Sequence, residues 1–260
     1  MDHKALLLKR LDEIAASLEQ SGRALALIGL GSVGLELERL DEYSDLDFFV
    51  IAADGQKRFF LDDLGWLRSI HPVTYAFQNT VDGHKLLFAD GVLCEYAVFE
   101  QSELEAAVFP PGRVIWKQAD VPDTIALPAR PPERRSPRPI EWLVGEALTN
   151  LYVGVQRYRR GEKLSALRFI QGYAVDRILE LAEQIETRQP GVVDAFNPER
   201  RFEVRYPQTA QHLPDFAQGY ASSPQSALAI LEFLEAHAPV NPAMAAALRE
   251  LCRMALAEAT

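Results

Sequence analysis

The sequence predicts an α+β protein, with a mixed β-sheet domain at the N-terminus followed by a helical bundle. Three observations carry that expectation. Through residues 1–120, short apolar runs of strand length are interspersed with helical periods, the pattern of a compact mixed domain. Residues 121–139 then hold six of the chain's 16 prolines, and because proline fixes φ and removes a backbone donor, this stretch reads as an extended connector. Beyond it, residues 140–260 show apolar residues at helical spacing only.

The elements follow in order. Leu7, Leu11, Ile14 and Leu18 recur at helical spacing, and Ser21-Gly22 stops that helix. Ala24 to Leu30 is a nearly continuous apolar run, expected as a buried strand. A polar, Glu-rich stretch leads to a second strand, Asp45 to Ile51. Gln56 to Ile70 is expected as a helix, followed by strands at Val73–Phe77, His84–Phe88 and Val92–Phe99, the last two joined by an Asp90-Gly91 hairpin turn. Arg113 to Lys117 is placed as an edge strand. The connector's arginines, Arg130, Arg134, Arg135 and Arg138, are expected in solvent. Beyond it, one helical stripe comprises Leu143, Ala147, Leu151, Val155 and Tyr158, and another Leu167, Ile170, Ala174, Ile178 and Leu181. Ser223-Pro224 and Asn241-Pro242 each offer a cap residue before a proline, and the last helix carries Met244, Leu248, Leu251 and Ala255. Trp142 and Tyr158 are expected in the core, and His71 and His84 in loops or on the surface.

Composition excludes several classes. Hydrophobic residues make up 48% and charged residues 25%, ample material for a packed core and unlike a disordered chain. Lys plus Arg number 27 against 37 Asp plus Glu, a net charge of −10 that argues against gripping nucleic acid through its phosphates. Cys94 and Cys252 are the only cysteines and fit no zinc or disulfide pattern. The charged N-terminus is unlike a signal peptide, and the interrupted apolar run Ala24–Leu35 is too short to span a bilayer, so a cytoplasmic chain without membrane partners is expected. The five histidines show no metal spacing.

Chemistry concentrates between Leu27 and Val50, where two readings compete for the same glycines. Gly29, Gly31 and Gly34 spell the G-x-G-x-x-G dinucleotide fingerprint, with Asp54 downstream. Against it, only ten residues separate Gly34 from Asp45, and that charged segment has barely an apolar face to pack as a helix on a sheet. In the second reading Gly31-Ser32 is a turn whose backbone N–H groups cradle phosphate, helped by the Ser32 hydroxyl. Asp45 and Asp47 then share one strand face, where two carboxylates about 6 Å apart repel by roughly 3 kcal/mol at an effective dielectric near 20. A divalent cation turns that repulsion into a site, and Mg²⁺ favours two carboxylates plus substrate phosphate oxygens. The competing view is a pair of solvated acids. Glu95, mid-strand among apolar residues, is the candidate third acid; alone it is as well explained by an edge strand facing solvent.

Gly31-Ser32, twelve residues, then Asp45-Leu46-Asp47 resembles the signature of the polymerase-β-like nucleotidyltransferases, with Ser44-Asp45-Leu46-Asp47 its most typical core, and Glu95 in Cys-Glu-Tyr-Ala-Val-Phe strengthens the likeness. Among them the chain is most similar to the lincosamide and aminoglycoside antibiotic nucleotidyltransferases, clearly over Ala24 to Phe99 and more faintly at Tyr158 to Lys163, which looks like a helix-turn-helix element. The Glu-rich loop before Asp45 is longer than in the lincosamide enzymes. The resemblance implies an N-terminal nucleotidyltransferase domain and Mg²⁺, as one ion or a pair, on Asp45 and Asp47. It implies the ATP β- and γ-phosphates on Gly31 and Ser32, and Glu95 as general base or, as in polymerases, a metal ligand. Lys163 would reach the triphosphate from the second domain, the competing view being a solvated lysine at a helix start. The implied reaction moves AMP from ATP to a hydroxyl of a small acceptor such as an antibiotic, an activity that would confer resistance. The alternatives are an antitoxin-like or regulatory protein of the same fold acting on or binding a protein, and a Rossmann NAD(P)-dependent oxidoreductase. A homodimer is implied by the resemblance alone. Arg200, Arg201 and Arg205 form a basic cluster with no assigned role.

Overall fold

The computed structural model describes residues 1–132, 136–191, 193–194 and 196–258; the connector arginines Arg134 and Arg135 lie outside the described residues. The chain divides into two units, Met1–Glu133 and Arg134–Thr260.

The first unit is built on a six-stranded sheet of order β3-β4-β5-β2-β1-β6: β1 (Ala24–Gly29), β2 (Leu46–Ala52), β3 (Val73–Thr80), β4 (Gly83–Phe88), β5 (Leu93–Glu100) and β6 (Arg113–Lys117). β2 and β5 run parallel, and every other neighbouring pair is antiparallel. Helix α1 (His3–Ser21) opens the unit; Asp2 caps it through Ala5 N–H (2.7 Å), and the Gly22 N–H closes it onto the Glu19 carbonyl. Its Leu7, Leu11, Ile14 and Leu18 are buried with Leu46, Phe48, Val50, Leu86, Phe88, Cys94, Tyr96 and Val98, which alternate along β2, β4 and β5. β1 is buried on both faces, which explains its continuous apolar run: Leu27 joins that core while Ala26 and Ile28 join a second cluster with Ile51, Val121, Ile125 and Ala126. The sheet is therefore covered on both sides at its β1–β6 end. On β4 and β5 the second face carries partly or fully exposed residues: Lys85, Leu87, Leu93 and Glu95.

Several expectations need correction. The single helix expected over Gln56–Ile70 is broken into α2 (Lys57–Asp62) and α3 (Gly65–Arg68), because Asp63 is extended and its carboxylate accepts from Gly65 N–H at 2.9 Å. The proline-rich stretch does not start as an extended connector: a 3₁₀ turn over Asp123–Ala126 buries Ile125 and Ala126 against the sheet, and the Ala126 carbonyl accepts from Gly112 N–H. His84 is not on the surface but within β4 and only 7% exposed, its ring stacked on Tyr96. The dinucleotide reading fails on topology: β1 and β2 are antiparallel and joined by two short 3₁₀ turns, Gly31–Val33 and Leu37–Arg39, where that fold requires a parallel strand–helix–strand unit.

The second unit is helical. α4 (Ile140–Arg159) leads through a turn to α5 (Lys163–Leu167), a π-helical segment (Arg168–Ala174) and α6 (Val175–Ile185); short turns follow, then helices Ser223–His237 and Pro242–Ala257. The stripes from Leu143 to Tyr158 and from Ile170 to Leu181 meet in one core. Asn241 caps the last helix through Ala243 and Met244 N–H, whereas Ser223 lies inside its helix, buried, and is no cap. Trp142 is not core: it is 40% exposed, with the Arg138 guanidinium 4.2 Å over its ring. Arg205 is buried and held by the Pro198 and Arg200 carbonyls, a structural role for part of the basic cluster. Among the described residues no helix is long and apolar enough to cross a membrane.

Candidate active site

The site begins where β1 ends. Gly29 is followed by the 3₁₀ turn Gly31–Val33, which folds back so tightly that a Cβ on Gly29 would stand 2.6 Å from the Val33 carbonyl oxygen. Gly31 adopts φ +53°, the left-handed region that favours glycine. The turn is tied to the next strand by Leu30 N–H donating to the Asp47 carbonyl (2.8 Å), and from β6 the Arg113 guanidinium donates to the Val33 and Gly34 carbonyls. In a turn of this kind the leading N–H groups, here those of Gly31 and Ser32, receive no partner from the turn itself and remain donors for a ligand.

The Glu-rich loop that follows holds one short 3₁₀ turn, Leu37–Arg39, and no α-helix. Arg39 pairs with Glu36, and the loop ends in a pinned turn in which the Asp41 carboxylate accepts from Tyr43 N–H (2.9 Å) and the Ser44 hydroxyl (3.0 Å). Those bonds hold Asp41 below its usual carboxylate range, the Tyr43 bond first. The turn delivers Asp45 to the mouth of β2 and Asp47 into it. Because Leu46, Phe48 and Val50 point to the core, Asp45 and Asp47 fall on the opposite face. A Cβ on Gly31 would lie 3.5 Å from Asp47 Oδ2 and 3.8 Å from a terminal nitrogen of Arg39, so turn, carboxylate and guanidinium crowd one point.

Asp47 pairs in register with Glu95 on β5, and Glu95 with Lys85 on β4. The Lys85 ammonium sits 2.8 Å from Glu95 Oε2, and Asn79 Nδ2 donates to Glu95 Oε1 at 3.0 Å. Lys85 is held above its ordinary pKa, first by the Glu95 hydrogen bond and charge, then by the charges of Asp47 and Asp45, so all three acids act on one ammonium.

Gly31, Ser32, Asp45, Asp47 and Glu95 are thus gathered on one face of the first unit's sheet or at its rim. Lys163 belongs to the second unit, where it opens α5 with its ammonium 4.9 Å from the Tyr158 ring centre. Among the described residues no three His, Cys, Asp or Glu side chains form a metal-holding group. The donor set that fits a cation is the Asp45–Asp47 pair, two hard oxygen donors suited to Mg²⁺ completed by phosphate oxygens and water, while Glu95 is engaged by Lys85 and Asn79.

Sequence reasoning missed Lys85, Asn79, Arg39 and Arg113. Lys85 had a signal, since a hairpin about Asp90 sets it opposite Glu95. Arg113 and Asn79 had none, because Arg113 meets the carbonyls of a turn some 80 residues earlier and Asn79 meets Glu95 across the strand that lies between them.

No protein-family model matches the chain, and no curated protein does. Among solved structures it is similar to an aminoglycoside 6-adenyltransferase from Bacillus subtilis, with 12% identity and a TM-score of 0.32 over 95% of this chain and 90% of that one. It is also similar to a nucleotidyltransferase-like protein from Exiguobacterium sibiricum, with 12% identity and a TM-score of 0.29 over 95% of this chain and 74% of that one.

Proposed function

We propose that this chain is a nucleotidyltransferase that moves AMP from ATP to a hydroxyl of a small molecule. One observation carries the proposal. Asp47 faces Glu95 across adjacent parallel strands, and the backbone carbonyl of the same Asp47 anchors the Gly31-Ser32 turn, so phosphate donors, metal-binding acids and a third carboxylate share one rigid frame.

Each residue has a task set by its chemistry. The Gly31 and Ser32 N–H groups and the Ser32 hydroxyl hold the β- and γ-phosphates. Asp45 and Asp47 would hold Mg²⁺, which when bound supplies positive charge to the triphosphate. Glu95 accepts the proton of the acceptor hydroxyl as that oxygen bonds to the α-phosphorus; the bond from phosphorus to the bridging oxygen breaks and pyrophosphate leaves in line. Lys85 and Asn79 fix the Glu95 carboxylate in place. Catalysis rests on positioning and charge compensation, for which a rigid sheet is a suitable frame.

The test is incubation with Mg-ATP and a panel of hydroxyl compounds that includes lincosamides and aminoglycosides, with mass spectrometry of the acceptors. The expected result is a mass gain of one AMP with pyrophosphate release. Absence of any adduct, together with no ATP binding by calorimetry, overturns the proposal.

A further inference from the structure

The face that carries the acids does not end at Glu95. Register extends the row of Asp47, Glu95 and Lys85 to Phe77 on β3. Beside it runs a second row of Leu93, Leu87 and Tyr75, headed by Asp45, which precedes the Leu46 that pairs with Cys94. Tyr75 is 57% exposed, Phe77 43% and Leu93 45%, and the two rings lie 5.7 Å apart. β3, Val-Thr-Tyr-Ala-Phe-Gln-Asn-Thr, carries no charge. The open face is therefore acidic over β2 and β5 and apolar over β4 and β3, with Lys85 at the junction.

We propose that the apolar part is the acceptor shelf, and that the acceptor is a hydroxyl compound with an apolar ring or chain face rather than a polycation. The inference rests on the nucleotidyltransferase reading and deepens it. In-line displacement puts the leaving pyrophosphate and the attacking oxygen on opposite sides of the α-phosphorus. With the phosphates on Gly31-Ser32, on the β1 side of Asp47, the attacking oxygen enters from the Glu95 side. The body of the acceptor then extends away from the nucleotide, over β4 and β3. Strands are about 4.8 Å apart, so Phe77 lies roughly 10 Å from Glu95, the reach of one ring beyond the reacting hydroxyl. What the acceptor meets there is two exposed aromatic rings and a leucine, which favour apolar contact, and an ammonium already bound to Glu95. Nothing on that strand compensates the charges of a polycation.

The experiment uses the full chain with Mg-ATP and a matched series of probes: methyl, butyl and phenyl β-glucosides, and the chitosan trimer as polycation. Binding is followed by saturation-transfer NMR, with calorimetry for ATP and sedimentation for the oligomeric state. Affinity is expected to rise from methyl to butyl to phenyl. The double variant Tyr75→Thr/Phe77→Thr should weaken the phenyl compound at least about tenfold with ATP affinity unchanged. If that variant fails to fold, Leu93→Gln is expected to weaken the phenyl compound in the same direction. The proposal is overturned if wild type shows no gradient, if the gradient survives the substitutions, or if the chitosan trimer binds more tightly than the phenyl compound. It is also overturned if the substitutions convert an oligomer to a monomer, because the shelf would then be covered by a second copy. A gradient that persists while ATP fails to bind wild type defeats the nucleotidyltransferase reading and leaves the shelf standing.

Discussion

Lys85 and Glu95 stand directly opposite each other on β4 and β5, with Nζ 2.8 Å from Oε2, and Glu95 is in turn the register partner of Asp47 on β2. The ammonium thus compensates a row of acids on the solvent side of the sheet. Its effect is expected on the orientation of Glu95.

Replacing Lys85 by Met releases one oxygen of Glu95. The expected outcome is a fall in kcat on the order of 10- to 100-fold with the KM for ATP unchanged, and partial recovery in Lys85→Arg. Steady-state kinetics on all three proteins separate this from a folding defect, which would lower the active fraction in both variants alike.

Asp45→Asn and Asp47→Asn each remove a hard donor from the cation pair. Charge compensation worth several kcal/mol translates to a loss on the order of 1,000-fold in transfer. Chelation of Mg²⁺ is expected to abolish transfer by the wild-type chain, and added Mg²⁺ to restore it. Pyrophosphate release in the presence of acceptor measures both.

Gly31→Ala forces a side chain into φ +53° beside Asp47 Oδ2 at a cost of about 1–3 kcal/mol. The KM for ATP is expected to rise while the fold persists. Gly29→Ala places a Cβ 2.6 Å from a backbone oxygen, so the strand end itself must shift and the melting temperature is expected to fall further. Thermal melts and ATP titrations distinguish the two.

His84 is buried against Tyr96, and burial lowers its pKa below the ordinary 6.5. The folded state therefore favours the neutral ring, and below pH 6.5 the unfolded chain binds more protons than the native one. Stability from this residue is full above 6.5 and is lost as pH falls toward the folded value. Urea denaturation at about pH 7.5 and about pH 5.5 is expected to show a smaller drop for His84→Gln than for wild type.

The elements of both units were legible where one pattern dominated. The α1 stripe ended at Gly22, β1 showed as an apolar run, and the acids of β2 stood out against a buried alternation. The errors came where a local bond competed with periodicity. Asp63 captured the Gly65 amide and split a helix, and the segment after Val121 found an apolar face to cover, overriding its prolines. His84 was misplaced because turn proximity says nothing about which face of β4 it occupies. Asp45, Asp47 and Glu95 were visible as costly residues for a strand, whereas Asn79, which holds Glu95, and Arg113, which holds the Val33–Gly34 turn, are ordinary until the topology joins them to their partners.

The β2–β5 pair is the only parallel one in the sheet, and in sequence the β3–β4 hairpin and both short helices lie between its strands. Contacts of such separation form slowly, after the loops that close them. β5 is inserted between β4 and β2, so a growing chain has neither the sheet's centre nor the Asp47–Glu95 pair until Glu100 has been synthesised. The Asp47–Glu95 pair therefore assembles when the centre of the sheet closes, before β6 and the Asp123–Ala126 turn complete its other end. A half-made copy that stops before β5 leaves one edge of β2 unpaired and Asp47 without the Glu95 that faces it across the parallel pair.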